Sequence, residues 1–223
     1  MRHTKCLLAC VAIIVSLFGC GGGATTAPAT GRLTLSVIWP KPTRLIPYGA
    51  QSVRAVLTSG QLTLGSQLIV GGDGPPPSPS TVTFDNVPAG PVTLTASAYP
   101  KADGSGVAMA TGAQPVTIVS GQTATVSVTM ASTIDHVTLT PVNPTIFLGA
   151  FSSVTLNAFD AAGNMVLIPR PLNIVSSNPA IVSIVTGGNP TTVKGIALGA
   201  SILTVTDGDT GKTANTTVTV VGD

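Results

Sequence analysis

Apolar and polar residues alternate with a period of two through long stretches of this chain. Val53, Ala55 and Leu57 fall on one side of such a stretch, with Arg54 on the other, and the run from Val92 to Ala98 repeats the pattern. Successive side chains of a β-strand point to opposite faces, so this period predicts half-buried strands. Clusters of Gly, Pro, Asn and Asp separate the stretches about every 8–12 residues, a spacing typical of a β-sandwich.

Composition supports an all-β fold. The chain is rich in Thr, Val, Ser, Ala and Gly, contains no Glu, and has only 8% charged residues. This balance favours strands over helices. The 43% hydrophobic content also separates the chain from disordered proteins, which are charged and poor in apolar residues. We therefore predict two tandem antiparallel β-sandwiches.

The predicted first domain spans residues 31–130. Its opening strand places Leu33, Leu35, Val37 and Trp39 on one face. Gly71 to Ser80 is predicted to be an exposed, proline-stiffened loop. Asp85 to Gly90 is predicted to be a turn, and two more strands are expected around Ser120-Gly121-Gln122. The stretch Phe84-Asp85-Asn86-Val87-Pro88-Ala89-Gly90-Pro91-Val92-Thr93-Leu94-Thr95-Ala96 is similar to the central turn of carboxypeptidase-regulatory-like and other prealbumin-type sandwiches.

The predicted second domain spans residues 134–221, after the short joint Ala131-Ser132-Thr133. It carries several motifs in order, namely Val137-Thr138-Leu139-Thr140-Pro141, Leu148-Gly149, Val154-Thr155-Leu156-Asn157-Ala158, Asp160 to Asn164, Ser176-Ser177-Asn178-Pro179 and Gly195 to Gly199. This order resembles the group 2 bacterial immunoglobulin-like domain, which implies an immunoglobulin-like sandwich. Ile174 and Val175 stand where that family often has an aromatic residue. The two domains differ in turn chemistry and do not form a repeat array.

The first nineteen residues have the form of an export signal. A basic start containing Arg2 and Lys5 precedes the thirteen-residue segment Cys6 to Phe18, which is broken only by Ser16. A membrane-spanning helix needs about twenty apolar residues, so a permanent span is not expected.

Leu17-Phe18-Gly19-Cys20 resembles the lipobox of bacterial lipoproteins. The resemblance implies diacylation of the Cys20 thiol, cleavage before Cys20 and acylation of the new amine, with palmitate among the acyl chains. Residues 20–30 would then be a lipidated start and flexible tether. Because Gly21 is not acidic, it further implies transfer to the outer membrane in a Gram-negative host. An ordinary secretory peptide with an incidental cysteine is the alternative.

Charge and cysteine content exclude several classes. Of the ten Lys and Arg, Arg2 and Lys5 lie in the signal, which leaves eight against eight Asp. A near-neutral chain does not fit nucleic-acid binding, where basic residues neutralise phosphates. With Cys6 and Cys10 removed and Cys20 lipidated, no disulfide or cysteine metal site is available.

The sequence predicts no enzyme and no cofactor. Past the signal there is one histidine, His136, expected on the outward face of a strand. The Asp residues mostly sit beside Gly, Asn or Pro, where an Asp side chain caps a turn. Asp207 and Asp209 form the weak calcium candidate, since two oxygen ligands one residue apart begin an EF-type loop. A hairpin turn is the alternative at this position.

We therefore expect a lipid-anchored, non-catalytic protein of the cell surface or outer membrane. Its modules would serve adhesion or structural and protein-interaction roles, with envelope or host proteins or glycans as partners. The alternative is a carbohydrate-binding surface lipoprotein, which would need exposed aromatic side chains. The candidates are Trp39, Tyr48 and Tyr99.

Overall fold

A computed structural model describes residues 29–37, 49–71, 80–168, 172–185 and 190–222. Within these ranges the chain is entirely strands, turns and loops, and the all-β prediction is confirmed. Trp39, Tyr48, the predicted signal and most of the predicted loop from Gly71 to Ser80 lie outside the described residues. No helix in the described part is long and apolar enough to cross a membrane.

Within the described residues, eight strands build the first sandwich. They are β1 (Thr30–Val37), β2 (Ser52–Ser59), β3 (Leu62–Val70), β4 (Ser80–Pro88), β5 (Gly90–Tyr99), β6 (Ala110–Ile118), β7 (Thr123–Val126) and β8 (Ala131–Ser132). One sheet has the order β4-β1-β7 and the other β3-β2-β5-β6-β8. Leu33, Leu57 and Leu94 are fully buried between the two sheets, as the alternation predicts.

The part of the chain that the structure describes contributes nine strands to the second sandwich. They are β9 (His136–Pro141), β10 (Thr145–Phe147), β11 (Phe151–Phe159), β12 (Met165–Val166), β13 (Asn173–Ser176), β14 (Val182–Ile184), β15 (Thr191–Gly195), β16 (Gly199–Thr206) and β17 (Thr213–Val221). One sheet has the order β10-β17-β16-β13, and in the other β11 pairs with β9, β12 and β15, while β14 pairs with β15. Val154, Val193 and Leu203 are fully buried in its core.

The strand pairing is antiparallel with two exceptions. β1 pairs with β7 in parallel, and β10 pairs with β17 in parallel. β1 is the first strand of its sandwich and β7 the last but one, whereas β10 is the second strand of its sandwich and β17 the last. A parallel pair needs a long connection between its strands, and the intervening chain of each sandwich supplies it.

The predicted turn from Asp85 to Gly90 is wrong in its position. β4 continues through Pro88, and the chain leaves it only at Ala89 before β5 begins in the opposite sheet. Asn86 has a φ of 55° at the point where the β1–β4 register shifts. Asn tolerates this left-handed conformation, so the turn-forming residues produce a β-bulge inside the strand.

For two other connections, the structure adds pairing to what the sequence predicts. The strands on either side of the turn Ser120-Gly121-Gln122 are β6 and β7, which lie in different sheets. In the predicted short joint at Ala131 to Thr133, Ala131 and Ser132 form β8 and pair with Thr111 and Ala110.

Candidate functional site

Cys20 and the lipobox residues Leu17, Phe18 and Gly19 lie outside the described residues. Their proposed roles in cleavage and lipidation therefore stay predictions. The described chain begins at Ala29, whose carbonyl oxygen accepts a hydrogen bond from the Ala89 amide at 2.8 Å. The described part of the chain therefore enters the first sandwich at this end.

The calcium candidate lies in the hairpin between β16 and β17. Asp207 is buried, and its Oδ2 accepts hydrogen bonds from the backbone amide and the hydroxyl of Thr210. Asp209 is exposed on the same turn. Among the described residues, no group of three His, Cys, Asp or Glu side chains is placed to hold a metal ion. The local geometry is that of a carboxylate capping a turn.

His136 is exposed at the start of β9, on the outward side that the alternation predicts. Its Nδ1 lies 3.3 Å from Asp135 Oδ2, and its ring stacks on Phe159 with centroids 5.2 Å apart. The Lys212 ammonium lies 3.8 Å from the other oxygen of Asp135. This is a small surface group of charges at the end of the second sandwich that faces the first, and exposed pairs of this kind add little stability.

Tyr99 is the one aromatic carbohydrate-binding candidate among the described residues. The Arg54 guanidinium lies 5.2 Å from its ring centre and donates a hydrogen bond to the carbonyl oxygen of Gly104. One face of the tyrosine ring is therefore occupied by a cation from the same sheet. A sugar ring would have to use the other face.

A shallow concavity of about 500 Å³ lies on the outer face of the five-stranded sheet of the first sandwich. Its lining includes Pro91, Pro115 and the side chains of Ser59, Thr93 and Thr117. Among the described residues, no titratable or aromatic side chain lines it, so they offer hydroxyl groups and proline rings rather than a general acid or base.

The two sandwiches meet end to end around Met109. This side chain precedes β6 of the first sandwich but is buried in the core of the second, with 2% of its surface exposed. Val107 and Ala50, also from the first sandwich, pack against that same core. The hydroxyl of Thr133 donates to the Ala108 carbonyl and closes the joint.

The strand directions show where the described chain starts relative to the second sandwich. It starts at the end of the first sandwich that is remote from the joint, and the second sandwich extends from the joint in the other direction. Thr30 lies beside Gly121, at the end of the first sandwich away from Met109. β9 starts near the joint, and β10 ends at Phe147 beside Val221 at the opposite end of the second sandwich. We refer to these as the proximal end (Ala29 and Thr30) and the distal end (Phe147 to Phe151 and Gly195 to Gly199).

The distal end carries large apolar side chains that face solvent. Each of them is between 45 and 61% exposed, and together they form the distal apolar cluster of Phe147, Leu148, Phe151, Ile196 and Leu198. Sequence reasoning missed this cluster, although Leu148-Gly149 and Gly195 to Gly199 are among the motifs named for the predicted second domain. The signal that could have found it is the placement of apolar residues at turns, where polar ones are usual.

The charges of the second sandwich are segregated between its ends. All four of its described carboxylates lie at the end that faces the first sandwich, namely those of Asp135, Asp160, Asp207 and Asp209. At the distal end, the charge that the structure describes is Lys194, whose ammonium lies 5.3 Å from the ring centre of Phe151. Among the described residues, the distal end thus carries apolar side chains and one cation.

Neither a scan against protein-family models nor a search of the curated proteins finds a match. Solved structures similar to this chain include domains 4 and 5 of the S-layer protein SbsC, at 16% identity and a TM-score of 0.35, covering 62% of this chain and 69% of that one. Another is a 282-residue intimin fragment bound to the intimin-binding domain of its translocated receptor, at 14% identity and a TM-score of 0.30, covering 85% and 60%.

A β-glycosidase from Bacteroides vulgatus is also similar, at 14% identity and a TM-score of 0.31, and this chain spans 25% of its length. At these identities and scores, no activity or partner carries over from any of the three proteins.

Proposed function

We propose that this chain is a lipid-anchored, non-catalytic protein of the cell surface, held at its proximal end and presenting the distal end for interaction. The observation that carries the proposal is the placement of the chain start and the distal apolar cluster at opposite ends of the two sandwiches. A tether attached at Cys20 would join the described chain at Ala29, and would leave the distal end directed away from the anchoring membrane.

The chemistry of the described surfaces supports a binding role over catalysis. The concavity on the first sandwich lacks titratable side chains, and His136 contacts a single carboxylate at the surface. General acid–base catalysis needs such groups within reach of one substrate. The resemblance of residues 134–221 to the group 2 bacterial immunoglobulin-like domain fits the same role.

Lipidation is tested by substitution at Cys20. In cells fed an alkyne analogue of palmitate, we expect the wild-type protein to be labelled and to sediment with membranes. Cys20→Ser should lose both properties, because the acyl chains supply the membrane affinity. Cys10→Ser is the matched control, since it lies in the segment that processing would remove and should keep the label.

An unlabelled wild-type protein, or a Cys20→Ser protein that is still labelled, would overturn the anchoring proposal. Orientation is tested separately by adding protease to intact and to broken cells. Degradation in intact cells supports surface display, whereas degradation only in broken cells contradicts it.

A further inference from the structure

β3 is an edge strand of the five-stranded sheet of the first sandwich, and it pairs with β2 on one side. The Gly71 amide donates to the Gln51 carbonyl at 2.8 Å, which extends the β2–β3 register by one pair. In an antiparallel pair, alternate residues direct both backbone groups toward the partner strand. The amides and carbonyls of Ser66, Leu68 and Val70 therefore point away from β2, where none of the described strands pairs with them.

This edge lacks the features that usually protect an edge strand from further pairing. Those features are charged residues, prolines, bulges and short length. β3 has nine residues, none of which is charged or proline. Its bulge, at Leu64, lies near one end and leaves Gly65 to Val70 in regular pairing. Leu68 and Val70 are 39 and 52% exposed. The regular part of β3 is therefore open to an additional strand.

The other edges of the described chain carry such protection. β4 contains Asp85, a bulge at Asn86 and Pro88, and β6 contains Pro115. The remaining edge strands that the structure describes have six residues or fewer. If a second copy of the chain docks on β3, the unprotected edge that it can offer is therefore its own β3.

The β3 edge is complementary to itself about a two-fold axis at Leu68. Antiparallel pairing about this axis places Leu68 opposite its counterpart, and Ser66 opposite Val70 of the second copy. The outward residues then exchange about six backbone hydrogen bonds. Because β3 carries no charge, the pairing brings no like charges of this strand together. A two-fold dimer requires a patch that is complementary to itself in this way.

We propose that the β3 edge binds the β3 edge of a second copy, which joins two five-stranded sheets into one continuous sheet. β3 runs toward the joint, because β2 starts beside Ala50, which packs against the second core. Antiparallel pairing therefore points the proximal ends of the two copies in opposite directions. The inference goes beyond the proposed function and does not depend on lipid at Cys20. It concerns copies that approach from opposite directions, not neighbours on one membrane.

The test uses protein spanning residues 29–223, because all seventeen strands and both cores lie within it. This protein lacks the apolar segment Cys6 to Phe18, which would associate by itself, and it contains no cysteine. Sedimentation equilibrium at increasing protein concentration measures the dissociation constant of the dimer. We expect a reversible equilibrium between monomer and dimer.

Two variants assign the dimer to the β3 edge. Leu68→Lys should raise the dissociation constant about tenfold or more, because two ammonium groups replace an apolar pair at the axis. Ser66→Pro should raise it about tenfold, because it removes an amide that donates across the axis in each copy. Its pairing with β2 is kept, since that amide faces the free edge. Ile202→Lys is the matched control at an exposed apolar strand position of the second sandwich, and it should dimerise as the wild type does.

A single cysteine tests the register. Residues directly opposite each other in a hydrogen-bonded antiparallel pair have Cα atoms about 5.5 Å apart, within the range that a disulfide spans. Under oxidation, Leu68→Cys should therefore form a covalent dimer, whereas Ile202→Cys should stay monomeric on a non-reducing gel.

A wild-type protein that stays monomeric at all concentrations would overturn the inference, as would a dimer that Leu68→Lys leaves intact or that Ile202→Lys weakens equally. Binding of a synthetic Leu62–Val70 peptide by a protein that does not dimerise would assign the edge to an extended segment of another protein, and would also overturn it. Circular dichroism of each variant shows that the fold is retained. Failure of the Cys20 experiment leaves this test unaffected, because the protein used here lacks that residue.

Discussion

The backbone amide of Thr133 donates a hydrogen bond of 3.1 Å to the carbonyl oxygen of Met109. The chain that leaves the first sandwich is therefore bound to the residue whose side chain fills the core of the second. β8 pairs with β6 immediately before this contact. The joint between the sandwiches is therefore a packed and hydrogen-bonded element.

Met109→Ala should lower the free energy of unfolding by about 2–5 kcal/mol, because it leaves a cavity in the second core. Chemical denaturation measures the loss. Met165→Ala is the control at an exposed methionine, and it should stay within about 0.5 kcal/mol of wild type. Similar effects of the two substitutions would show that Met109 is not packed between the sandwiches.

Gly112→Ala should destabilise the first sandwich by about 1–3 kcal/mol. A methyl group at this position would lie 2.2 Å from the carbonyl oxygen of Thr129, which is backbone and cannot turn away. Gly208→Ala, where a methyl group meets open space, provides the comparison in thermal unfolding. A Gly112→Ala protein with the same melting temperature as the wild type would contradict the close approach of Gly112 to the backbone of Thr129.

Ser201→Ala should cost about 1–3 kcal/mol, because it removes the acceptor of a buried hydrogen bond. The Ser201 hydroxyl accepts from the Asn178 amide at 3.0 Å and lies 2.9 Å from the hydroxyl of Ser176. The exposed Ser66 on β3 is a matched site for Ser66→Ala. Equal stability of the two variants in urea would remove the structural role assigned to Ser201.

Calcium should leave the melting temperature unchanged, because Asp207 Oδ2 already accepts two hydrogen bonds from Thr210. Asp207→Ala should lower stability by about 1 kcal/mol or more through loss of those bonds. A calcium-dependent rise in the wild-type melting temperature that Asp207→Ala and Asp209→Ala both abolish would instead establish the calcium site.

Asp160 should titrate below its ordinary pKa of 3.8, because the Asn164 side chain and backbone amide donate to its carboxylate. Its folded-state pKa is lowered, so its contribution to stability is present above the unfolded pKa and is lost as pH falls through the folded one. Asn164→Ala should raise the Asp160 pKa toward 3.8 in an NMR titration. The pKa of Asp103, lowered by Ser105, should not move in this variant.

The sequence determined which residues of a strand are buried. Leu33, Val53 and Leu94 are all in the core, as the period of two predicts. It also placed the hairpin at Asp207 and the outward side of His136 correctly. These features are local, because alternation and turn chemistry depend on neighbouring residues in the chain.

Only the tertiary structure decided which strands pair and which core a side chain enters. Alternation does not name a partner strand, so β4 and β5 could not be assigned to opposite sheets from sequence. The apolar character of a residue such as Met109 does not indicate which of the two cores its side chain will enter. The distal apolar cluster likewise comes from two turns, 46 residues apart from Gly149 to Gly195, which are joined by the hydrogen bonds between Gly149, Ala150 and Gly195.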